Sequence, residues 1–567
     1  MKEIRFKNVF NKGDVKTIKW IYNICKSQKY KILFLIIVES ISAVVTVSFA
    51  KMSKDIINAA TIDKSFDLVI KNAIIFLGAI LIQLALYILE RSTTERCRCK
   101  LEWILKQHTL ETCIRKDYAS ISKIHTGELQ NRMFNDVSVI ADGFTTILPN
   151  VVYFVVKLIA AFTYLVIIDK IFAAVFLVGG VGVFLMTHLF RGVIKRMHKS
   201  VQETEGKTRS FIQEALTSLL VVKSFVVEDK IADTADELQR ENYRVKMKRR
   251  FFSISANAGI SLVFNVGFVF AVAFGAYRII FFGLSYGDVT AMIQLVNQIQ
   301  SPFASLSSVL PKYFTLLASA ERLMELDELP DEFHENEGKI DVDLAYKDLK
   351  SIHFNNITFA YDRDTVLDNT SLTIDKGDFV AIMGISGIGK STLLKLLLGV
   401  FHVSDGHIEL ELDGESIPVD YNTRQMFSYV PQGNFILSGT IYENLTFINS
   451  DVTDEEIQKA IRISCADEFI DTLPDGLDTV IGERGIGLSE GQLQRLAIAR
   501  SLLAKAPIVL LDEATSALDE ATEKRFLENL KELKTKTCII VSHKKAALDI
   551  CNKHVQIIDS KIVTEEV

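Results

Sequence analysis

The stretch Val380-Ala381-Ile382-Met383-Gly384-Ile385-Ser386-Gly387-Ile388-Gly389-Lys390-Ser391-Thr392 decides how the second half of the chain is read. An apolar run, fit for a buried strand, breaks into a glycine-rich turn and enters a helical pattern from Thr392 to Val400. Gly384, Gly389, Lys390 and Ser391 fit the pattern G-x-x-x-x-G-K-[ST], with the strand before and the helix after that this pattern requires. Glycines let successive backbone N–H groups approach phosphate oxygens, and the helix N-terminus adds its positive dipole end. Lys390 then reaches the outer phosphates of a nucleotide, and the Ser391 hydroxyl can ligate Mg²⁺.

Outward from that turn, the totals describe two unlike halves. The chain has 567 residues, 49% of them hydrophobic and 24% charged, with a mean hydropathy of +0.23. That mixture indicates one greasy part and one ordinary part. The net charge of −6 carries no nucleic-acid signal. Seven cysteines form no regular ladder, which argues against a disulfide framework. Cys97 and Cys99 have no His or second Cys pair nearby and read as reduced thiols. Met1 to Lys31 is basic and polar, without the pattern of a removable signal peptide.

The first half carries apolar segments long enough to span a bilayer as helices. They run Lys31–Ala50, Leu68–Leu89, Val151–Ile168, Ile171–Leu189, Ile260–Phe282 and, more polar, Val289–Leu317. About six spans are expected, the last of low hydropathy. Arg91 to Thr146 carries about nine Lys or Arg and Arg191 to Phe252 about fourteen, an excess that marks the cytoplasmic side. Both termini then lie in the cytoplasm, and the long internal loops read as helices continuing the spans. Glu39 lies inside the first span and needs a cavity or a helix partner. Arg278, near the outer end of its span, is expected to snorkel. Gln294, Asn297 and Gln298 share a helical face that either lines a cavity or joins helices. Pro302 and Pro311 predict a bend in the sixth helix.

Asp327 to Lys350 turns acidic and polar and marks a boundary. The expected domains are 1–326, with six transmembrane helices and cytoplasmic extensions, a linker at 327–350, and 351–567. The last shows apolar strands alternating with amphipathic helices, the order of an α/β domain with a largely parallel sheet. Ile508 to Leu511 reads as a buried strand ending in Asp512-Glu513. An acid at a strand tip beside a phosphate loop can hold Mg²⁺ directly or through water, and the next carboxylate can polarise an attacking water. Thr537 to Val541 is another strand, ending in Ser542-His543, whose imidazole could meet a γ-phosphate or lie on the surface. Ser489 and Gln492 fit a capping box, and this helix N-terminus could also bind phosphate. One chain already holds a complete phosphate loop, so a second anion site suggests a nucleotide shared by two copies.

On these motifs the second half resembles the ATPase domain of ABC transporters. The whole chain resembles an exporter-type half-transporter: a membrane all-α domain of six helices followed by an α/β P-loop ATPase domain. Gly384 to Thr392 matches the Walker A motif, Ile508 to Glu513 Walker B, Leu488 to Gln492 the signature, and Val430-Pro431-Gln432 the Q-loop. Tyr361 matches the adenine-stacking aromatic residue, Ser516 to Asp519 the D-loop, and His543 the switch histidine. Thr126-Gly127-Glu128 to Asp136 and Glu214 to Phe225 resemble patterns near the coupling helices. The resemblance implies ATP and Mg²⁺ as cofactors. It implies catalytic roles for Glu513, His543 and Gln432, and Mg²⁺ at Ser391 and Gln432 with Asp512. ATP would meet Tyr361, Gly384, Ser386, Gly387, Gly389, Lys390, Ser391 and Thr392 on one copy and Ser489, Gly491 and Gln492 on the other. Glu490 departs from the usual signature glycine, which leaves open a heterodimer with a homologous half-transporter. The implied activity is ATP-driven export of a hydrophobic or amphipathic substrate (drug, lipid or peptide) across the cytoplasmic membrane, with the ATPase domain in the cytoplasm. An importer built on the same fold is the alternative direction. The bilayer and a second copy are the expected partners, and nucleic acid is not.

Overall fold

The computed structural model describes residues 12–332, 340–361, 364–433, 436–482, 487–533 and 535–566, with side chains described except at 12, 13, 180–192, 194, 195, 198, 199, 260, 300–308, 310 and 566. The chain forms two compact units, 1–111 with 126–327 and 112–125 with 328–567. One short segment from the helical half of the sequence therefore belongs to the second unit.

The first unit is helical. Its helices are α1 (Lys12–Cys25), α2 (Lys29–Thr61) and α3 (Phe66–Arg115). After α4 (Tyr118–Ile121), which belongs to the second unit, come α5 (Thr126–Asn131), α6 (Val137–Ile168), α7 (Lys170–Thr217), α8 (Leu219–Ser224), α9 (Glu228–Phe282) and α10 (Tyr286–Asp327). Among the described residues four helices are long and apolar enough to cross a membrane: Asp14–Thr61, Phe66–Arg115, Thr126–Ile168 and Glu228–Phe282. The other two expected spans, on α7 and α10, fall partly on side chains outside the described residues; α7 shows the shorter apolar run Lys170–Gly179. The apolar window of α3 is only 6% buried. So exposed an apolar surface requires lipid rather than water around it.

Polar contacts join these helices, as expected where packing and hydrogen bonds rather than hydrophobicity drive association. Gln294 Nε2 donates to Ser53 Oγ at 3.0 Å and Gln298 Nε2 to the Thr46 carbonyl at 3.0 Å, tying α10 to α2. These two glutamines join helices, while Asn297 is exposed. Arg278 does not snorkel. It pairs with buried Asp169, which also caps α7 by accepting from Phe172 N at 2.9 Å. Burial of the carboxylate between the two helices draws the arginine inward. Pro302 lies in α10, its side chain outside the described residues; Pro311 also lies within α10, and the helix runs through both. Between α5 and α6 the backbone widens into a π-turn, Arg132–Asp136. There Asp136 accepts from Arg322 Nε at 2.8 Å and Ser319 Oγ at 2.9 Å, clasping α10.

The second unit is α/β. After α11 (Val342–Asp348) come β1 (Leu349–Tyr361), β2 (Asp364–Asp375), β3 (Phe379–Met383), α12 (Lys390–Leu397), β4 (Asp405–Leu412), β5 (Ser416–Pro418) and β6 (Phe427–Val430). Next are β7 (Gly439–Thr440), α13 (Ile441–Thr446), α14 (Asp454–Ile463), α15 (Asp467–Ile470), β8 (Val480–Ile481) and α16 (Glu490–Leu503). Then β9 (Ile508–Asp512), α17 (Glu520–Leu530), β10 (Thr537–Val541), α18 (Lys545–Leu548), β11 (Lys553–Ile558) and β12 (Lys561–Glu566) complete it. The main sheet has the order β12-β11-β3-β10-β9-β6, parallel from β11 to β6 with β12 antiparallel at the edge. A second, antiparallel sheet has the order β2-β1-β4-β5.

The central parallel strands β3, β9 and β10 are largely apolar because both faces are covered. Along β9, Ile508 and Leu510 enter one core and Val509 and Leu511 the other; β10 divides Ile539 and Val541 from Cys538 and Ile540 in the same way. With both faces filled, the free chemistry is left at the strand ends. The carboxyl ends of β3, β10, β9 and β6 lie side by side, where an open parallel sheet binds its ligands.

Candidate functional site

The four strand ends bring the predicted residues together. Beyond β3 the chain turns through Gly384, Gly387 and Gly389, with φ of 147°, 82° and 114°. Gly389 is the constrained one: a Cβ there would lie 2.2 Å from Val366 Cγ1. Its left-handed backbone starts α12 directly at Lys390. Lys390, buried, donates to the carbonyls of Gly384 at 2.8 Å and Ile385 at 3.2 Å, and meets His543 Nε2 at 2.8 Å. An ammonium can only donate, so His543 Nε2 is the acceptor in this contact.

At the end of β9, Asp512 is buried and both of its oxygens are held. Ser391 Oγ donates to Oδ1 at 2.9 Å and the Tyr429 hydroxyl to Oδ2 at 3.0 Å. Burial pushes the Asp512 carboxyl above its ordinary range, while the Ser391 and Tyr429 hydrogen bonds pull the other way. Burial, followed by the nearby Asp512 charge, raises the Tyr429 phenol. The next residue, Glu513, turns sharply with φ of 51°, and its N–H donates to the Val541 carbonyl at 3.1 Å. Its carboxylate accepts from Gln432 Nε2, beyond β6, at 2.8 Å. A non-glycine residue held at positive φ is a costly arrangement that clusters at functional sites.

Ser391, Gln432 and Asp512 present hydroxyl, amide and carboxylate oxygens, the hard donors Mg²⁺ takes, so the residues fit that ion. Among the described residues no group of three or more His, Cys, Asp or Glu could hold a metal. Tyr361, 40% exposed, sits at the end of β1 with its hydroxyl 3.2 Å from Thr392 Oγ1. Ser386 lies within the turn that the three glycines build.

The signature residues form a separate network. Ser489 caps α16 in a full capping box: Gln492 N donates to Ser489 Oγ at 3.3 Å and Ser489 N to Gln492 Oε1 at 2.8 Å. Glu490 is exposed in the first turn. Gly491 packs on the D-loop, where a Cβ would lie 2.8 Å from the Ala517 carbonyl. Among the described residues no hydrogen bond joins Ser489, Gly491 or Gln492 to the phosphate-loop set.

Sequence reasoning missed three residues that hold these parts. Tyr429 anchors Asp512, yet an aromatic in a strand reads as core. Gln494 grips the D-loop, donating to Ser516 Oγ at 2.9 Å and accepting from Ala517 N at 3.0 Å. Lys544 donates to the carbonyls of Thr515 at 2.8 Å and Leu518 at 3.1 Å. Nothing in the sequence pattern marks the last two except their places beside the signature and His543.

A sheet edge that gathers a phosphate loop, two acids, an amide and a histidine, following a bundle that needs lipid, defines an ATP-hydrolysing membrane transporter. Residues 30–303 match the profile of the ABC transporter transmembrane region and residues 367–516 that of the ABC transporter ATP-binding domain. A putative export ATP-binding/permease protein of Rickettsia felis is 30% identical over 461 residues, 78% of this chain and 77% of that one. A putative multidrug export ATP-binding/permease protein of Staphylococcus aureus is 29% identical over 444 residues, 77% of this chain and 76% of that one. The solved structure of a bacterial Atm1-family ABC exporter with ATP bound shares the fold, with a TM-score of 0.80 and 22% identity over 95% of both chains. The chain belongs to the ABC transporter family. It is a half-transporter of exporter type, with one transmembrane region and one ATP-hydrolysing domain.

Proposed function

We propose that two copies of this chain pair and export a hydrophobic or amphipathic substrate (a drug, lipid or peptide) across the cytoplasmic membrane, with the ATPase units in the cytoplasm. The observation that carries the reading is the joining of Gln432 to Glu513 and of Ser391 to Asp512 at the carboxyl end of the parallel sheet. Lys390 and the loop from Gly384 to Thr392 bind the phosphates, and Tyr361 stacks on the base. Glu513, oriented by Gln432, takes the proton of the water attacking the γ-phosphate; His543 fixes that phosphate's far side. Mg²⁺ would be held by Ser391 and Gln432 with Asp512 behind, and when bound it neutralises phosphate charge.

Ser489, Gly491 and Gln492 belong to the nucleotide of the other copy. The apolar turn at α8, with Leu220 81%, Phe225 73% and Val226 81% exposed, supports a second copy as its cover. Export rather than import follows the named relatives. Glu490 in the first turn of α16 favours one further reading, a heterodimer in which this chain supplies one unequal site.

Glu513→Gln tests the core of the proposal. Loss of a general base costs about 100-fold or more in turnover, while ATP still binds. Undiminished hydrolysis would refute the assignment. Cysteines at Ser386 and Glu490 should crosslink two copies when ATP is present, and failure to do so would refute the shared site.

A further inference from the structure

Tyr361 is not an isolated platform. Its ring meets Phe401 edge-on, at 5.4 Å between centroids and 88° between planes. Phe359, buried at the end of β1, closes another side at 4.9 Å and 89°. Phe401 in turn meets Tyr118 of α4 at 5.8 Å and 73°. Lys395 of α12 stands 5.9 Å from the Phe401 ring. The Tyr361 hydroxyl is tied to Thr392 on the helix that follows the phosphate loop. All these residues lie in the second unit, α4 included.

Perpendicular aromatic contacts are directional, so each ring constrains the plane of the next. Tyr361 is held by two perpendicular rings and by its hydroxyl while 40% of it stays exposed. A stacking surface needs its plane fixed before the ligand arrives, since ordering it afterwards costs affinity. Among the described residues Phe401 is the one ring that touches both Tyr361 and α4. We propose that Phe401 is a positioning residue for the nucleotide base, setting the plane of Tyr361, and that Tyr118 of α4 acts on base binding through it. This rests on the assignment of Tyr361 to the base.

The test uses the full-length chain in lipid vesicles and follows hydrolysis of ATP and of UTP, whose smaller base stacks less. Phe401→Leu should raise the KM for ATP roughly 3- to 10-fold, with a smaller change in kcat, and compress the ATP:UTP preference. Tyr118→Leu should raise the ATP KM in the same direction, although Tyr118 is two rings from the base. The double variant should be no worse than Phe401→Leu alone, because the effects share one path. Phe401→Tyr should restore the wild-type KM. If Phe401→Leu fails to fold, the exposed Tyr118→Leu variant carries the measurement. A KM for ATP that Tyr361→Leu leaves unchanged overturns the base assignment itself. A KM raised by Tyr361→Leu but untouched by Phe401→Leu or Tyr118→Leu overturns the positioning role alone. Equal changes for ATP and UTP overturn it as well.

Discussion

Gly491→Ala sets two effects against each other. Gly491 is the second residue of α16, and no positive φ is needed there. By helix propensity alone, Ala should stabilise by about 1 kcal/mol. The added Cβ would lie 2.8 Å from the Ala517 carbonyl and 3.7 Å from Leu518 Cδ2, so something must move. The carbonyl cannot retreat easily. Gln494 holds Ala517 N and Ser516 Oγ, and Lys544 holds the carbonyls of Thr515 and Leu518. Overpacking against such a fixed neighbour costs about 1–3 kcal/mol. The net effect is a destabilisation of about 0–2 kcal/mol, with α16 displaced from the D-loop. A shift of several tenths of an ångström at a helix end proposed to bind phosphate should lower hydrolysis roughly 10- to 100-fold. The assay is ATP hydrolysis by the reconstituted chain beside its thermal midpoint. Full turnover with a raised midpoint would refute the reasoning, showing that propensity wins and the D-loop yields.

Tyr429→Phe removes the donor to Asp512 Oδ2, so the thermal midpoint should fall with a loss of about 1–3 kcal/mol. The acid limb of hydrolysis should move toward neutral pH, because that hydroxyl holds the raised Asp512 carboxyl down; an unmoved limb counts against the contact. Arg322→Leu leaves the buried Asp136 carboxylate uncompensated and should cost about 3–5 kcal/mol, read as earlier thermal aggregation in detergent. The His108 imidazole is raised chiefly by its hydrogen bond to Asp327, which also accepts from Trp20 Nε1 at 2.7 Å. A raised folded-state pKa stabilises fully below the ordinary histidine value of about 6.5 and is lost as pH climbs through the folded value. His108→Gln should therefore flatten the fall in thermal midpoint above that pH; an unchanged slope would remove the pair from the account.

The phosphate loop was legible because glycine spacing, strand and helix are all local. Asp512 and Glu513 were legible for the same reason, at the end of an apolar run. What could not be read were partners distant in sequence. Arg278 looks like a snorkelling residue until Asp169 is seen beside it, and Gln294 and Gln298 look equally fit for a cavity until Ser53 and Thr46 receive them. Tyr429 and Phe401 carry no pattern of their own, since an aromatic residue near a strand end is ordinary core until its hydroxyl or edge finds a neighbour.

Residues 112–125 finish the ATPase unit although they are made before most of the helical half. Lys116 pairs with Asp331, Asp117 N donates to the Pro330 carbonyl, and Glu332 N donates to the Arg115 carbonyl. On the ribosome this strip waits without its mates until Pro330 to Glu332, and later Phe401, have been translated. A shortened gene starting at Glu328 would yield an ATPase missing one of its own walls, with Phe401 bare where Tyr118 belongs. Maturation of the two halves is thus ordered in time, and the earlier-made one delivers the last piece of the later.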